Sequence, residues 1–382
     1  MREIHKLGAV ATLLCTVAVG AANAETTMSL TSGFPPGSIP ERAHKELAGW
    51  MEENSDIRLN VSAMTLLTFP EASPGVGQGI ADMAYFVTPY HKAEYSESNL
   101  AAEMSMLSTI GTPSNAPGLA MAGAFAEYVT LNCDDCQTQF KMQNNVYLGT
   151  GASSEYGLFC REPIAGPEDL AGKKIRVGAE NYGRWAEHFG AVKVSVPGSE
   201  IYEAMSIGVV DCTALSTPEL ENWQLYDVTA QVTTAVPGGV YAGVSSNAMN
   251  RDLWQSLTDE ERATMLRGAG IVSAGVAGGY FSDALTAEAK AEEKGVDVVP
   301  APEALASETE AFAKADMATI AEQYTSIYGI ENVEAKMETI SALVEVWKER
   351  INGIDPKDNQ AFADLLWDNV YSKLDPATYG MN

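Results

Sequence analysis

Apolar positions early in the chain change period in a regular order. Ile57, Leu59, Val61 and Ala63 alternate with Arg58, Asn60 and Ser62, the two-residue repeat of a half-buried strand. Ahead of them, Met28 to Thr31 predicts a short strand and Gly33-Phe34-Pro35-Pro36-Gly37 a loop. A helix from about Pro40 then sets Ala43, Leu47, Trp50 and Met51 on one face. Further on, the unbroken apolar run in IADMAYFVTPY predicts a buried strand stopped by Pro89. A stretch rich in alanine and methionine, from about Asn99 to Asn144, predicts helix.

The same sequence of periods then restarts. VYLGTGASSEYGLFC supplies strand material, Gly166 to Leu170 a turn of helix, and Lys174-Ile175-Arg176-Val177 a short strand. NYGRWAEHFG places Trp185 and Phe189 four apart on the buried side of a helix. VKVSVP predicts a strand, SEIYEAMSIG a helix closed by Gly208, and VVDCTAL the next strand. GGVYAGVSSNAMN leads back toward the first sheet. Thr258 and Glu261 have the spacing of a capping box opening a long helix, and the chain from Pro302 to Asn382 reads as nearly all helix. No repeat or low-complexity linker separates the two series, so the fold class expected is α/β, with two lobes around a central cleft, joined by crossing strands and a long helix. The division expected is residues 25–153 plus 241–281 for one lobe and 154–240 plus 282–350 for the other, with 351–382 as a C-terminal helical extension.

Length and composition support a folded chain: 382 residues, 46% of them hydrophobic, are enough for about two ordinary domains. Residues 1–24 read as a secretory signal peptide, with Arg2 and Lys6 ahead of the apolar run Leu7 to Val19 and the small residues Ala22-Asn23-Ala24 at the cleavage site. Cys15 lies inside that run, where a lipoprotein signal would not place it. No later run reaches the roughly 18 apolar residues of a membrane span, so stable membrane insertion is not expected and the mature chain should be exported to the periplasm. A formal net charge of −27 opposes binding to nucleic acid or anionic lipid. Four cysteines remain after the leader. The local reading pairs Cys133 with Cys136 and Cys160 with Cys212 as structural disulfides. Its rival is thiol-disulfide catalysis at Cys133-Asp-Asp-Cys136, which the two intervening carboxylates disfavour because they raise the thiol pKa.

Chemistry-bearing motifs are few. His44, His91 and His188 show no metal-ligand spacing, GVGQG lacks the rest of a phosphate loop, and there is no G-x-S-x-G elbow. No cofactor or metal is expected, and the chain is not read as an enzyme. Arg176 stands out. It ends a strand just before a helix, a place where α/β proteins hold anions, and a guanidinium grips a carboxylate with two parallel bonds. The bland alternative is a surface charge paired with one of the 51 acidic residues.

Four stretches, GQGIADMAYFVTPY, EDLAGKKIRV, SEIYEAMSIGVVD and SNAMNRDLWQSL, occur in the order and at the spacing of a known family. Together they resemble the extracytoplasmic substrate-binding proteins of tripartite ATP-independent periplasmic (TRAP) transporters, of the dicarboxylate-binding type. The resemblance runs from about Met28 to Leu343. It implies a two-lobed binding protein that closes on a small organic acid and passes it to a membrane permease, with Arg176 at the position that grips the ligand carboxylate. Departures matter too: Tyr156 stands where members that bind multiply charged acids carry another arginine, and Leu215, beside Ser216 and Thr217, stands where many place an asparagine. The pocket expected is therefore apolar, walled by Phe34, Phe69, Tyr85, Tyr90 and Tyr241. Thr88, Asn181, Ser216 and Thr217 are its polar candidates, Asn181 being equally a helix cap. A monocarboxylate with an apolar or aromatic body fits that expectation. Alternatives are a receptor of another importer, a periplasmic sensor, or an exported oxidoreductase using Cys133 and Cys136.

Overall fold

The structure is a computed structural model and describes residues 26–381. The leader and its cleavage site lie outside the described residues. Two mixed sheets organise the chain. The first contains β1 (Thr26–Ser32), β2 (Ile57–Ala63), β3 (Met83–Val87) and β4 (Asn145–Val146). The second contains β5 (Tyr156–Cys160), β6 (Lys174–Arg176), β7 (Val192–Val194), β8 (Cys212–Ser216) and β9 (Gln231–Thr234). The chain then returns to the first sheet as β10 (Val244–Asn250) and ends its strands in the second as β11 (Asp297–Pro300). Strand orders are β2-β1-β3-β10-β4 and β11-β9-β5-β8-β6-β7.

Side-chain alternation explains the layers of the second sheet. Along β5, Tyr156, Leu158 and Cys160 face one core with Trp185 and Phe189, while Phe159 faces the other with Met205 and Leu215. β5 and β8 run antiparallel with Cys160 opposite Cys212, and these two cysteines form a disulfide. The second disulfide joins Cys133 and Cys136 at the start of the helix Asp134–Met142. In the first sheet β3 is buried along its whole length, as its unbroken apolar run requires, and β1 lies parallel to β2 and β3 on either side.

The helix Asp259–Glu293 has 35 residues, about 52 Å at 1.5 Å per residue, enough to serve both lobes. Its start is the capping box read from Thr258 and Glu261: the Thr258 amide donates to Glu261 at 2.7 Å and the Glu261 amide to Thr258 Oγ1 at 3.2 Å. Gly268, Gly275 and Gly279 let it approach the helix Ile39–Asn54 closely. A Cβ on Gly275 would lie 2.9 Å from the Ala43 Cβ, and one on Gly279 would lie 2.7 Å from Ile39. Two crossing segments also join the lobes and pair with each other, the Ser153 amide donating to the Tyr241 carbonyl and the Tyr156 amide to that of Gly239.

The region from 96 to 142 is divided into Ser96–Glu103, a 3₁₀ stretch Met104–Thr109, Pro117–Leu131 and Asp134–Met142; Pro113 and Pro117 account for the gap before the third of these. The helix Val333–Asn352, placed in the second lobe by the boundary at 350, instead packs Val344, Trp347 and Ile351 into the first lobe's core. Its Trp347 ring lies against Gly123, where any Cβ would clash, which fixes it on the helix Pro117–Leu131. The C-terminal segment packs there as well, through Phe362, Leu366 and Tyr371. Among the described residues no helix is long and apolar enough to cross a membrane.

Candidate functional site

Ends of parallel strands from both sheets meet across the cleft, where α/β proteins place their ligands. The chain leaving β1 brings Phe34, and β3 with its following turn brings Tyr85, Val87 and Tyr90. β6 ends on Arg176; β8 and the turn beyond it supply Leu215, Glu219 and Trp223. Ser153, Tyr156 and Tyr241 come from the crossing segments and their edges, and Tyr280 from the long helix. These residues line one pocket together with Phe69.

Its walls are aromatic and hold one another in place. Phe34 meets Phe69 edge-on at 4.9 Å between centroids and Tyr85 at 5.4 Å, while Trp223 lies over it at 5.2 Å. Phe69 meets Tyr90 edge-on at 5.8 Å. Because Trp223 belongs to the second lobe and Phe34 to the first, this cluster spans the cleft.

Arg176 is only 3% exposed. Its Nε donates to the Val196 carbonyl at 3.0 Å, and Nη2 donates to the Tyr90 hydroxyl of the other lobe at 3.2 Å. Three arginines are buried among the described residues. Arg184 is paired with Glu103 and, in a two-pronged contact, with Asp316 at 2.7 and 2.8 Å. Arg262 is paired with Asp259. Arg176 alone has no carboxylate partner, in a chain with an acidic excess. A buried guanidinium held by neutral acceptors is a site still able to take an anion. Gly178 keeps space beside it, since a Cβ there would stand 3.4 Å from Nη1 and 3.1 Å from the Tyr241 ring.

Glu219 is the second ionisable group in the pocket and is 5% exposed. The Tyr280 hydroxyl donates to one of its oxygens at 2.6 Å and Asn222 Nδ2 to the other at 3.2 Å. Burial raises its pKa to about 7, against the opposing pull of Tyr280, Asn222 and Arg176. No ion pair joins Glu219 to Arg176.

The model for bacterial extracellular solute-binding protein, family 7, matches residues 130–326, more than half of the chain. The chain belongs to that family. A solute-binding protein of Albidiferax ferrireducens is 23% identical over 256 residues, covering 63% of this chain and 70% of the relative. Two crystal structures share the two-lobed fold of this family 7 protein. One is a Rhodoferax ferrireducens TRAP solute-binding protein in complex with copurified benzoate, at a TM-score of 0.73 and 19% identity, covering 85% of this chain and 99% of that one. The other is a marine metagenome TRAP solute-binding protein specific for pyroglutamate, at 0.70 and 15%, covering 84% and 99%.

Of the residues singled out in the sequence of this family 7 protein, Arg176, Phe34, Phe69, Tyr85, Tyr90 and Tyr241 converge on the pocket. Thr88, Asn181, Ser216 and Thr217 are not among its walls. Thr88 is buried and exchanges hydrogen bonds with Asn99. Asn181 neither caps its helix nor faces the pocket, but donates to Ser105 at 3.2 Å. Ser216 is buried in β8, and Thr217 borders a different groove beside Glu288 and Phe281. Glu219, Trp223 and Tyr280 were missed. The one available signal was position: Glu219 lies three residues beyond the end of β8, and Trp223 one helical turn later.

Proposed function

We propose that this protein is an extracytoplasmic, periplasmic receptor that closes on a small organic monocarboxylate with an apolar or aromatic body and delivers it to a TRAP-type permease. The observation carrying this reading is the lone buried arginine without an acid, set among aromatic walls at the meeting of two lobes. Ligand carboxylate would take the place that carboxylate side chains take on Arg184 and Arg262. Water leaves as the lobes meet, which strengthens the charge-assisted bond. The benzoate and pyroglutamate named for the two similar structures are both ring-bearing monocarboxylates, and they support the class without fixing the compound.

A disulfide exchange role for Cys133 and Cys136 finds no support, because both are buried, at 6% and 0% exposure. A thermal-shift screen of refolded, ligand-free protein against carboxylic acids tests the receptor reading. An acid at a hundred times its dissociation constant adds about 2.7 kcal/mol. Arg176→Ala should abolish that gain with the unliganded melting point kept. Uncharged solutes stabilising both proteins equally, with no acid active, would refute it.

A further inference from the structure

We infer that Glu219 makes the pocket selective for zwitterionic acids, which bear a cationic nitrogen on the body at the end away from the carboxylate. This rests on the carboxylate reading and narrows it. Two opposite charges share one pocket and do not pair. Arg176 is turned to Val196 and Tyr90, and Glu219 to Tyr280 and Asn222. A ligand with a single negative charge satisfies the first and leaves the second either a buried anion without a counter-charge, which is costly, or held as the neutral acid. A zwitterion balances both.

Two features agree with a cation at the Glu219 end. Tyr280 and Asn222 donate to different Glu219 oxygens and Trp223 stands by as a third donor, while an ionised carboxylate offers about four acceptor positions, so capacity remains for one N–H donor. The neighbouring surface is made of rings, Trp223 and Phe34 foremost, whose faces attract cations and repel a second anion. The groups facing Glu219 from the elements packed around it are Arg176 of β6, Tyr85 of β3, Tyr156 of β5 and Tyr280 of the long helix, with Asn222 and Trp223 from its own turn. Arg176 is the only base among them. Tyr85, Tyr156 and Tyr280 all have their pKa raised, chiefly by burial, and so stay neutral.

Binding of a zwitterion therefore calls for ionised Glu219 and strengthens as pH rises through about 7; binding of a simple monocarboxylate would call for the protonated form and weaken over the same range. Isothermal titration with matched pairs separates the two. The nitrogen members are piperidine-2-, 3- and 4-carboxylate and 4-(aminomethyl)benzoate; the carbon members are cyclohexanecarboxylate and 4-methylbenzoate. At least one nitrogen member should bind about tenfold or more tighter than its carbon twin, a gap of about 1.4 kcal/mol. Glu219→Gln should erase that preference while retaining the carbon twin, which also shows that the variant pocket is folded. Carbon members binding as well as or better than every nitrogen member, or a preference unchanged in the Gln variant, would overturn the inference and leave the carboxylate reading standing. Binding of none of these acids would overturn both.

Discussion

Replacing Glu219 with glutamine should change how the unliganded protein responds to pH, and the size of the change follows from its burial. In the folded state the carboxyl titrates at about 7, against 4.5 for an unperturbed one. Between those values the native protein holds a proton that the unfolded chain has released, so stability falls as pH rises through the window. Below it both states are protonated and the penalty is absent; above it both are ionised and the penalty is complete. At 1.36 kcal/mol per pKa unit the full penalty is roughly 3 kcal/mol. Glutamine keeps an acceptor for Tyr280, loses about 1 kcal/mol of hydrogen bonding to Asn222, and does not titrate. His44 acts in the opposite sense. Buried, and donating Nε2–H to the Ser246 carbonyl at 2.7 Å, it has its pKa lowered from 6.5 to about 4 by burial, and it withdraws stability as pH falls from the first value to the second. His44 is common to both proteins and cancels in the difference between them. Urea unfolding of refolded, ligand-free wild type and Glu219→Gln across the window should therefore show the variant gaining on the wild type by about 3 kcal/mol from the acid end to neutral. A difference that stays flat, or that runs the other way, would refute the placement of an ionisable carboxyl in a dry pocket.

Other predictions concern the frame around the site. Gly275→Ala should destabilise by about 1–3 kcal/mol despite the higher helix propensity of alanine, because its Cβ meets a backbone-fixed Cβ on Ala43; Gly49→Ala, with nothing within 4 Å, should stabilise by about 0.5–1 kcal/mol. Urea midpoints that move the same way for both would contradict the close approach of those two helices. Arg184→Met should cost about 3–5 kcal/mol, since it leaves Glu103 and Asp316 buried without a counter-charge. A loss below about 1 kcal/mol in the same assay would mean that water reaches the network.

Much of the frame was legible because it is written in local patterns. Alternation in IRLNVSA, the unbroken run in β3 and the Thr258–Glu261 box each act over a few residues, and Arg176 could be singled out because a strand end is a local feature. The rest depends on tertiary placement. Tyr280 sits in the middle of a long helix full of glycine and alanine, where no periodicity distinguishes a pocket residue from a packed one. Glu219 and Trp223 belong to a turn of four helical residues and its cap, too short to carry a period. Thr88 and Asn181 look available in the sequence, yet neighbours that are distant or unobvious there, Asn99 and Ser105, satisfy them. The packing of Val333–Asn352 against the first lobe was hidden for the same reason: its partner surface, the helix containing Gly123, lies two hundred residues earlier.

A crystal structure of the protein with its acid bound should show a ligand carboxylate within hydrogen-bonding distance of the Arg176 guanidinium, enclosed by Phe34, Phe69 and Trp223. An acid seated elsewhere, with Arg176 still held only by Val196 and Tyr90, would contradict that placement.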